Sequence, residues 1–98
     1  MDNLRPLIEI IKIVRNKITD NTDIVWTKYN NTVELQMHID KNLNLLENGD
    51  KQALEEFKHL FMPTSTFQEI SISNGWGEEY LELAERFDEA YEKIKNGA

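Results

Sequence analysis

The residues of this chain that could do chemistry are carboxylates, two histidines and a few serines. Glu56 and His59 have the Glu-x-x-His spacing that places a carboxylate and an imidazole on one helix face, as in di-iron bundles. Such a site needs a second copy of the motif, and the other histidine, His38, follows Glu34 by four residues instead of three. We therefore predict no metal site and no cofactor.

Catalysis is not predicted either. A general acid needs a pocket that raises its pKa, and the carboxylates fall on predicted solvent faces. The chain has no Gly-x-Ser-x-Gly elbow and no glycine-rich phosphate loop. It also has no cysteine, which excludes disulfides, thiol nucleophiles and thiolate metal sites. The sequence predicts that the protein is not an enzyme and has no catalytic residues.

The strongest pattern is the spacing of acidic residues near the C-terminus. Residues 1–48 hold seven acids and six bases, whereas residues 49–98 hold eleven acids and five bases. Five glutamates recur at steps of four, three, four and three residues, which places them on one helix face; they are Glu78, Glu82, Glu85, Glu89 and Glu92. This set is termed the acidic ridge. It has two interpretations, a solvated face or a docking surface for a basic partner.

Two aromatic residues, Trp76 and Tyr80, lie at the start of the ridge. Tryptophan and tyrosine are among the residues that most often anchor interfaces. Beside the ridge they suggest a binding surface for a protein partner; the candidate residues are Trp76, Tyr80, Glu78, Glu82, Glu85 and Glu89. The alternative is that Trp76 covers the core at a sharp turn. Trp26, Lys28 and Tyr29 could form a second patch, and a small-molecule pocket could be lined by Trp26, Tyr29 or Trp76.

Length and composition set the class of protein. A chain of 98 residues and 11.5 kDa fits one domain, 1–98, and 40% apolar residues suffice for a core. The net charge of −7 argues against sequence-independent nucleic-acid binding, because the phosphates would repel it. The most apolar stretch, residues 7–14, is too short and too charged to span a bilayer. Since no targeting segment is visible, we expect a cytoplasmic protein without membrane contact.

Helical periodicity predicts an all-α fold, a compact bundle of four to five helices. The first helix is expected from Leu4 to Ile18, and the later ones start at the capping residues Asn31, Asp50 and Ser65. The fourth helix places Phe67, Ile70 and Ile72 on its apolar side. The last helix is expected over 78–95, with one apolar face made of Tyr80, Ala84, Phe87, Tyr91 and Ile94.

Residues 24–39 are ambiguous. Val33, Leu35, Met37 and Ile39 alternate, and two asparagines suit a tight turn, so the segment can be a β-hairpin in an α+β fold. However, Asn31 and Glu34 have capping-box spacing, and a lone hairpin is only marginally stable. We favour a helix that ends at Asn48-Gly49.

One block resembles a known group of sequences. It reads Phe-x-Pro-Thr-(small)-x-(apolar)-Gln-Glu followed by Asn-Gly-Trp; here its residues are Phe61, Pro63, Thr64, Ser65, Phe67, Gln68, Glu69, Asn74, Gly75 and Trp76. The chain resembles small, uncharacterised bacterial proteins that carry this block, which implies a helical fold and a bacterial cytoplasmic setting. In size, acidity and helicity it is also similar to immunity proteins that neutralise basic toxin domains.

These observations lead to one main functional hypothesis. The chain is interpreted as a non-enzymatic interaction module that binds a basic protein partner, such as a toxin domain, through the acidic ridge. Two alternatives remain: a regulatory module that binds a small molecule, and a structural homodimer that buries an apolar face of the first helix.

Overall fold

The computed structural model of the protein describes residues 4–25, 27, 29–63 and 65–97. These residues form five α-helices and no strand, which confirms the predicted all-α bundle. The helices are α1 (Leu4–Lys17), α2 (Thr32–Glu47), α3 (Lys51–Leu60), α4 (Thr66–Ser73) and α5 (Gly77–Gly97). Helix α1 packs against α2 and α5, while α3 packs against α2 and α4 packs against α5.

The core is built from one apolar stripe on each helix. Four aliphatic residues of α1 are buried, at the three- and four-residue steps expected of a helix; they are Leu7, Ile10, Ile11 and Val14. An aromatic cluster forms another part of the core. The ring centroid of Phe61 lies 4.1 Å from that of Phe87, with the rings stacked, and 5.0 Å from that of Phe67, with the rings edge-on. The apolar stripe of α1 is thus part of the core of a single chain.

The start of α2 decides between the helix and the hairpin. Asn31 has an extended backbone and its side chain accepts a 2.8 Å hydrogen bond from the Glu34 amide. The Glu34 carboxylate accepts in return from the backbone N–H of Asn30, at 3.4 Å, and not from that of Asn31. These bonds satisfy amides that have no partner inside the helix. The hairpin alternative is therefore wrong for residues 32–39, which are helical.

The remaining helix ends differ from the predictions in detail. Asp50 caps α3 as expected, accepting from the Gln52 amide at 2.8 Å. Ser65 is the N-cap residue of α4 but makes no side-chain capping bond. Helix α5 begins at Gly77, directly after a turn in which Gly75 adopts a φ of 85°, a conformation that glycine reaches without steric cost.

Candidate functional site

The acidic ridge lies on the exposed face of α5. All five of its glutamates are exposed, and the opposite face of the helix carries the buried residues Tyr80, Leu83 and Phe87. Within the described residues none of the five forms an ion pair with a lysine or arginine. One weak bond involves the ridge, from the Asn96 amide to Glu92 at 3.4 Å. The ridge is thus a continuous strip of free carboxylates.

The acidic residues on either side of the ridge are neutralised from other elements. Lys17 of α1 contacts Glu79 with an N–O distance of 2.7 Å, and Lys58 of α3 contacts Asp88 at 3.1 Å. Both acids lie on α5 and both are also exposed. The fold therefore pairs the carboxylates that border α1 and α3 and leaves the outward-facing ridge unpaired.

Trp76 joins the ridge to the bundle. It is half-buried against the core, its ring meets that of Tyr80 edge-on at 6.2 Å, and the Lys17 ammonium lies 5.4 Å from its ring centroid. The remaining surface of Trp76 lines a shallow depression of about 520 Å3 between the end of α4 and the start of α5. Glu78 supplies an unpaired carboxylate at its edge, while the neighbouring Glu79 is paired with Lys17. The depression can receive an apolar group next to a positive charge.

Tyr80 is not part of this surface. Its side chain is only 2% exposed, and its hydroxyl donates a 3.1 Å hydrogen bond to the backbone carbonyl of Phe61. Burial raises the pKa of the Tyr80 phenol above its ordinary range. The proposed role of Tyr80 as a surface anchor therefore does not fit its position, which is that of a core residue.

Two exposed apolar residues lie near the ridge, and sequence reasoning missed both. Ile72 is 62% exposed at the depression, although it was expected on the apolar side of α4, and Leu81 is 60% exposed. Leu81 lies three residues after Glu78 and four before Glu85, so it borders the ridge. Its position outside the apolar stripe of α5 was a signal available in the sequence.

In the part of the chain that the structure describes, the candidate metal ligands Glu56 and His59 are not brought together with a third ligand. Glu56 contacts His38 of α2 with an N–O distance of 2.8 Å, while His59 is exposed. Among the described residues no group of three or more metal-ligating side chains is found. The second patch falls partly on Trp26 and Lys28, which lie outside the described residues. Tyr29 is half-buried, and its ring lies 5.8 Å from that of His38.

The sequence and the fold were compared with those of known proteins. The chain matches no known family, no characterised protein and no solved structure. Within the described part of the chain, no helix combines the length and apolar character that crossing a membrane requires. The geometry of the α5 surface is therefore the only guide to function.

Proposed function

We propose that the protein binds a basic protein partner through the acidic ridge and the Trp76 depression, in the manner of a cytoplasmic immunity protein or inhibitor. The observation that supports it is the set of five exposed, unpaired carboxylates beside two exposed apolar residues, Ile72 and Leu81. Inhibition would be by occlusion, with the partner's active surface covered. No chemistry of this chain is needed for that role.

The carboxylates and the apolar residues of this surface affect different steps of binding. Unpaired carboxylates on one strip attract a basic partner over distances of about one Debye length, roughly 8–10 Å in physiological salt. This attraction raises the association rate and makes it fall with salt. The apolar contacts at Ile72, Trp76 and Leu81 bury area once the partner has docked, so they act mainly on the dissociation rate. A surface of this kind suits a cationic partner with an apolar side chain near its lysines and arginines.

The experiment is capture of partners from a lysate of the source organism by the immobilised protein. The test variant carries Glu78→Gln, Glu85→Gln and Glu92→Gln. The control carries Asp20→Asn, Glu47→Gln and Glu69→Gln, which change the net charge equally at exposed or half-exposed sites on elements other than α5. We expect a basic protein that binds wild type and control but is lost from the test variant. Undiminished capture by the test variant would show that the ridge does not contribute to binding.

A second comparison tests the apolar part. Ile72→Gln with Leu81→Gln should accelerate dissociation of the captured protein and leave its association rate nearly unchanged. Met37→Gln on α2 is the control, because Met37 is also strongly exposed and lies on another helix. An equal effect of both changes on the dissociation rate would contradict the proposed contact.

A further inference from the structure

A second surface of α5 faces α1 across an open groove of about 790 Å3. Its charged lining is of mixed sign, with Arg5 and Glu9 from α1 and Arg86, Glu89 and Lys93 from α5. Between them lie Ile13, which is 37% exposed, and Ala90. A groove of this kind does not suit a simple anion or cation, because charges of both signs lie on its walls.

The cations of this groove are unusual within the chain. Of the ten basic residues that the structure describes, five form ion pairs. Three of the other five, Arg5, Arg86 and Lys93, line the groove. Arg86 and Lys93 follow Glu82 and Glu89 by four residues, a spacing that favours pairing within a helix, yet neither pair is formed in the described chain. The groove therefore concentrates charges that are still available for partners.

The order of the charges on α5 is self-complementary. Glu82, Arg86, Glu89 and Lys93 follow steps of four, three and four residues, so they share one stripe of alternating sign. The stripe is about 16 Å long at the helical rise per residue. When a second α5 is laid antiparallel, with a two-fold axis between residues 87 and 88, Glu82 meets Lys93 and Arg86 meets Glu89. Symmetry repeats both contacts, which gives four ion pairs.

Helix α1 adds to the same arrangement. It runs antiparallel to α5, because Lys17 at its C-terminus contacts Glu79 near the start of α5. Arg5 therefore lies toward the Lys93 end of the groove, where it reaches Glu82 of the second copy. Glu9 lies one turn further along, toward Arg86 of the second copy. Ile13, which is 37% exposed, supplies apolar area beside these charges, which alone would give little net stabilisation.

The geometry points to a symmetric homodimer in which α5 of each copy lies antiparallel along the α1–α5 groove of the other. The inference rests on the charge order of the stripe, and it does not require the proposed basic partner, although the two surfaces share Glu82 and Glu89. In this dimer Glu78, Glu85 and Glu92 lie beside the stripe on the same exposed side of α5 and stay outside the four ion pairs, whereas Glu82 and Glu89 belong to both the ridge and the stripe. A second copy and a basic partner would therefore compete for Glu82 and Glu89.

The test is sedimentation velocity of the full chain from about 1 μM to about 1 mM. We expect a concentration-dependent species of twice the 11.5 kDa chain mass. Glu82→Lys or Lys93→Glu alone should weaken the dimer by about tenfold, because each removes two ion pairs and brings like charges together. The double variant Glu82→Lys/Lys93→Glu should restore it, since the pairs reform with opposite polarity at unchanged net charge. Circular dichroism verifies that each variant is folded.

Two controls match the single changes. Glu92→Lys alters the same helix outside the stripe, and Lys41→Glu alters an exposed lysine of α2; both should dimerise as the wild type does. A chain that stays monomeric over the whole range leaves the groove open to another occupant and overturns the proposal. So does a dimer that the single changes do not weaken, or one that the double variant does not restore. The ridge variant used for partner capture keeps all four stripe residues, so the two proposals fail separately.

Discussion

At the scale of single residues, the two buried tyrosines of α5 show how neighbours determine the role of a side chain. Tyr80 donates its hydroxyl to the carbonyl of Phe61 inside the core. Tyr91 donates to the carboxylate of Glu55 at 2.9 Å, and its ring is flanked by the ammonium groups of Lys58 and Lys95. The first tyrosine stabilises the core, whereas the second connects α5 to surface charges of α3.

Replacing Tyr80 tests the core hydrogen bond. Tyr80→Phe keeps the ring but leaves the Phe61 carbonyl without this donor, so the free energy of unfolding should fall by about 1 kcal/mol. Urea denaturation measures it. Tyr91→Phe is the control and should cost less, because water can reach the exposed Glu55 carboxylate that it leaves. Equal losses of unfolding free energy in the two variants would show that the buried hydrogen bond to Phe61 stabilises the protein no more than the exposed bond to Glu55.

Glu55 provides a prediction about pH. Hydrogen bonds from Lys95 and then from Tyr91 lower the pKa of the Glu55 carboxyl. A lowered folded-state pKa stabilises the protein above the unfolded-state pKa, and this contribution is lost as pH falls through the folded-state value. The same pairing raises the pKa of Lys95, whose contribution is lost as pH rises through its folded-state value. The pair therefore stabilises the fold between those two limits.

Carbon-detected NMR titration of the Glu55 carboxyl measures this directly. In Lys95→Met the pKa of Glu55 should rise toward the ordinary glutamate value, with the Tyr91 bond still present. Lys51→Met is the control, because Lys51 is an exposed lysine at the start of α3 that forms no ion pair within the described chain. An unchanged pKa of Glu55 in the Lys95 variant would show that the pair does not persist in solution.

At the scale of the elements, the helix N-termini make a sharp comparison. Asn31 accepts a hydrogen bond from an α2 amide, whereas Ser65 occupies the same position of α4 and accepts none. Asn31→Ala should therefore lower the free energy of unfolding by about 1 kcal/mol. Ser65→Ala should change it by less than about 0.5 kcal/mol. Thermal and urea unfolding of the two variants check this order, and a larger loss for Ser65→Ala would contradict it.

The same elements show what the sequence could predict. The spacing of Asn31 and Glu34 identified the start of α2 against a competing strand pattern, because capping bonds are local. The helices α1, α3 and α5 were predicted from periodicity for the same reason. The orientation of α4 was not, since a helix of 8 residues makes barely two turns. Ile72 was consequently assigned to the core, although it is exposed.

Tyr80 shows a second limit. Its position in the α5 stripe predicted burial, while its residue type predicted an interface anchor. The side chain is buried, and its hydroxyl is satisfied by a hydrogen bond to the Phe61 carbonyl, 19 positions away in the chain. Such a long-range bond has no signature in one sequence. The ridge could be predicted because its pattern is local to one helix, whereas its lack of ion pairs depended on where the lysines of α1 and α3 came to lie.

At the scale of the whole molecule, the ridge places like charges at adjacent turns of one helix in a protein of net charge −7. Its four neighbouring pairs, from Glu78 to Glu92, lie at three- and four-residue spacing, where each costs a few tenths of a kcal/mol. Since no ion pair within the described residues relieves the ridge, this cost is borne by the folded state. Natural proteins often retain such a cost where a surface binds a partner.

This cost can be measured. Glu85→Gln with Glu92→Gln removes three of the four like-charge pairs, so it should raise the free energy of unfolding by about 0.5–1 kcal/mol at low salt. The gain should shrink as sodium chloride is raised to about 0.5 M, because salt screens exposed charges and stabilises the wild type more than the variant. Asp20→Asn with Glu69→Gln is the control of equal charge and should give a smaller gain. A gain that does not depend on salt would show that the substitutions act through helix propensity. Like-charge repulsion within the ridge would then contribute nothing that a cationic partner could relieve.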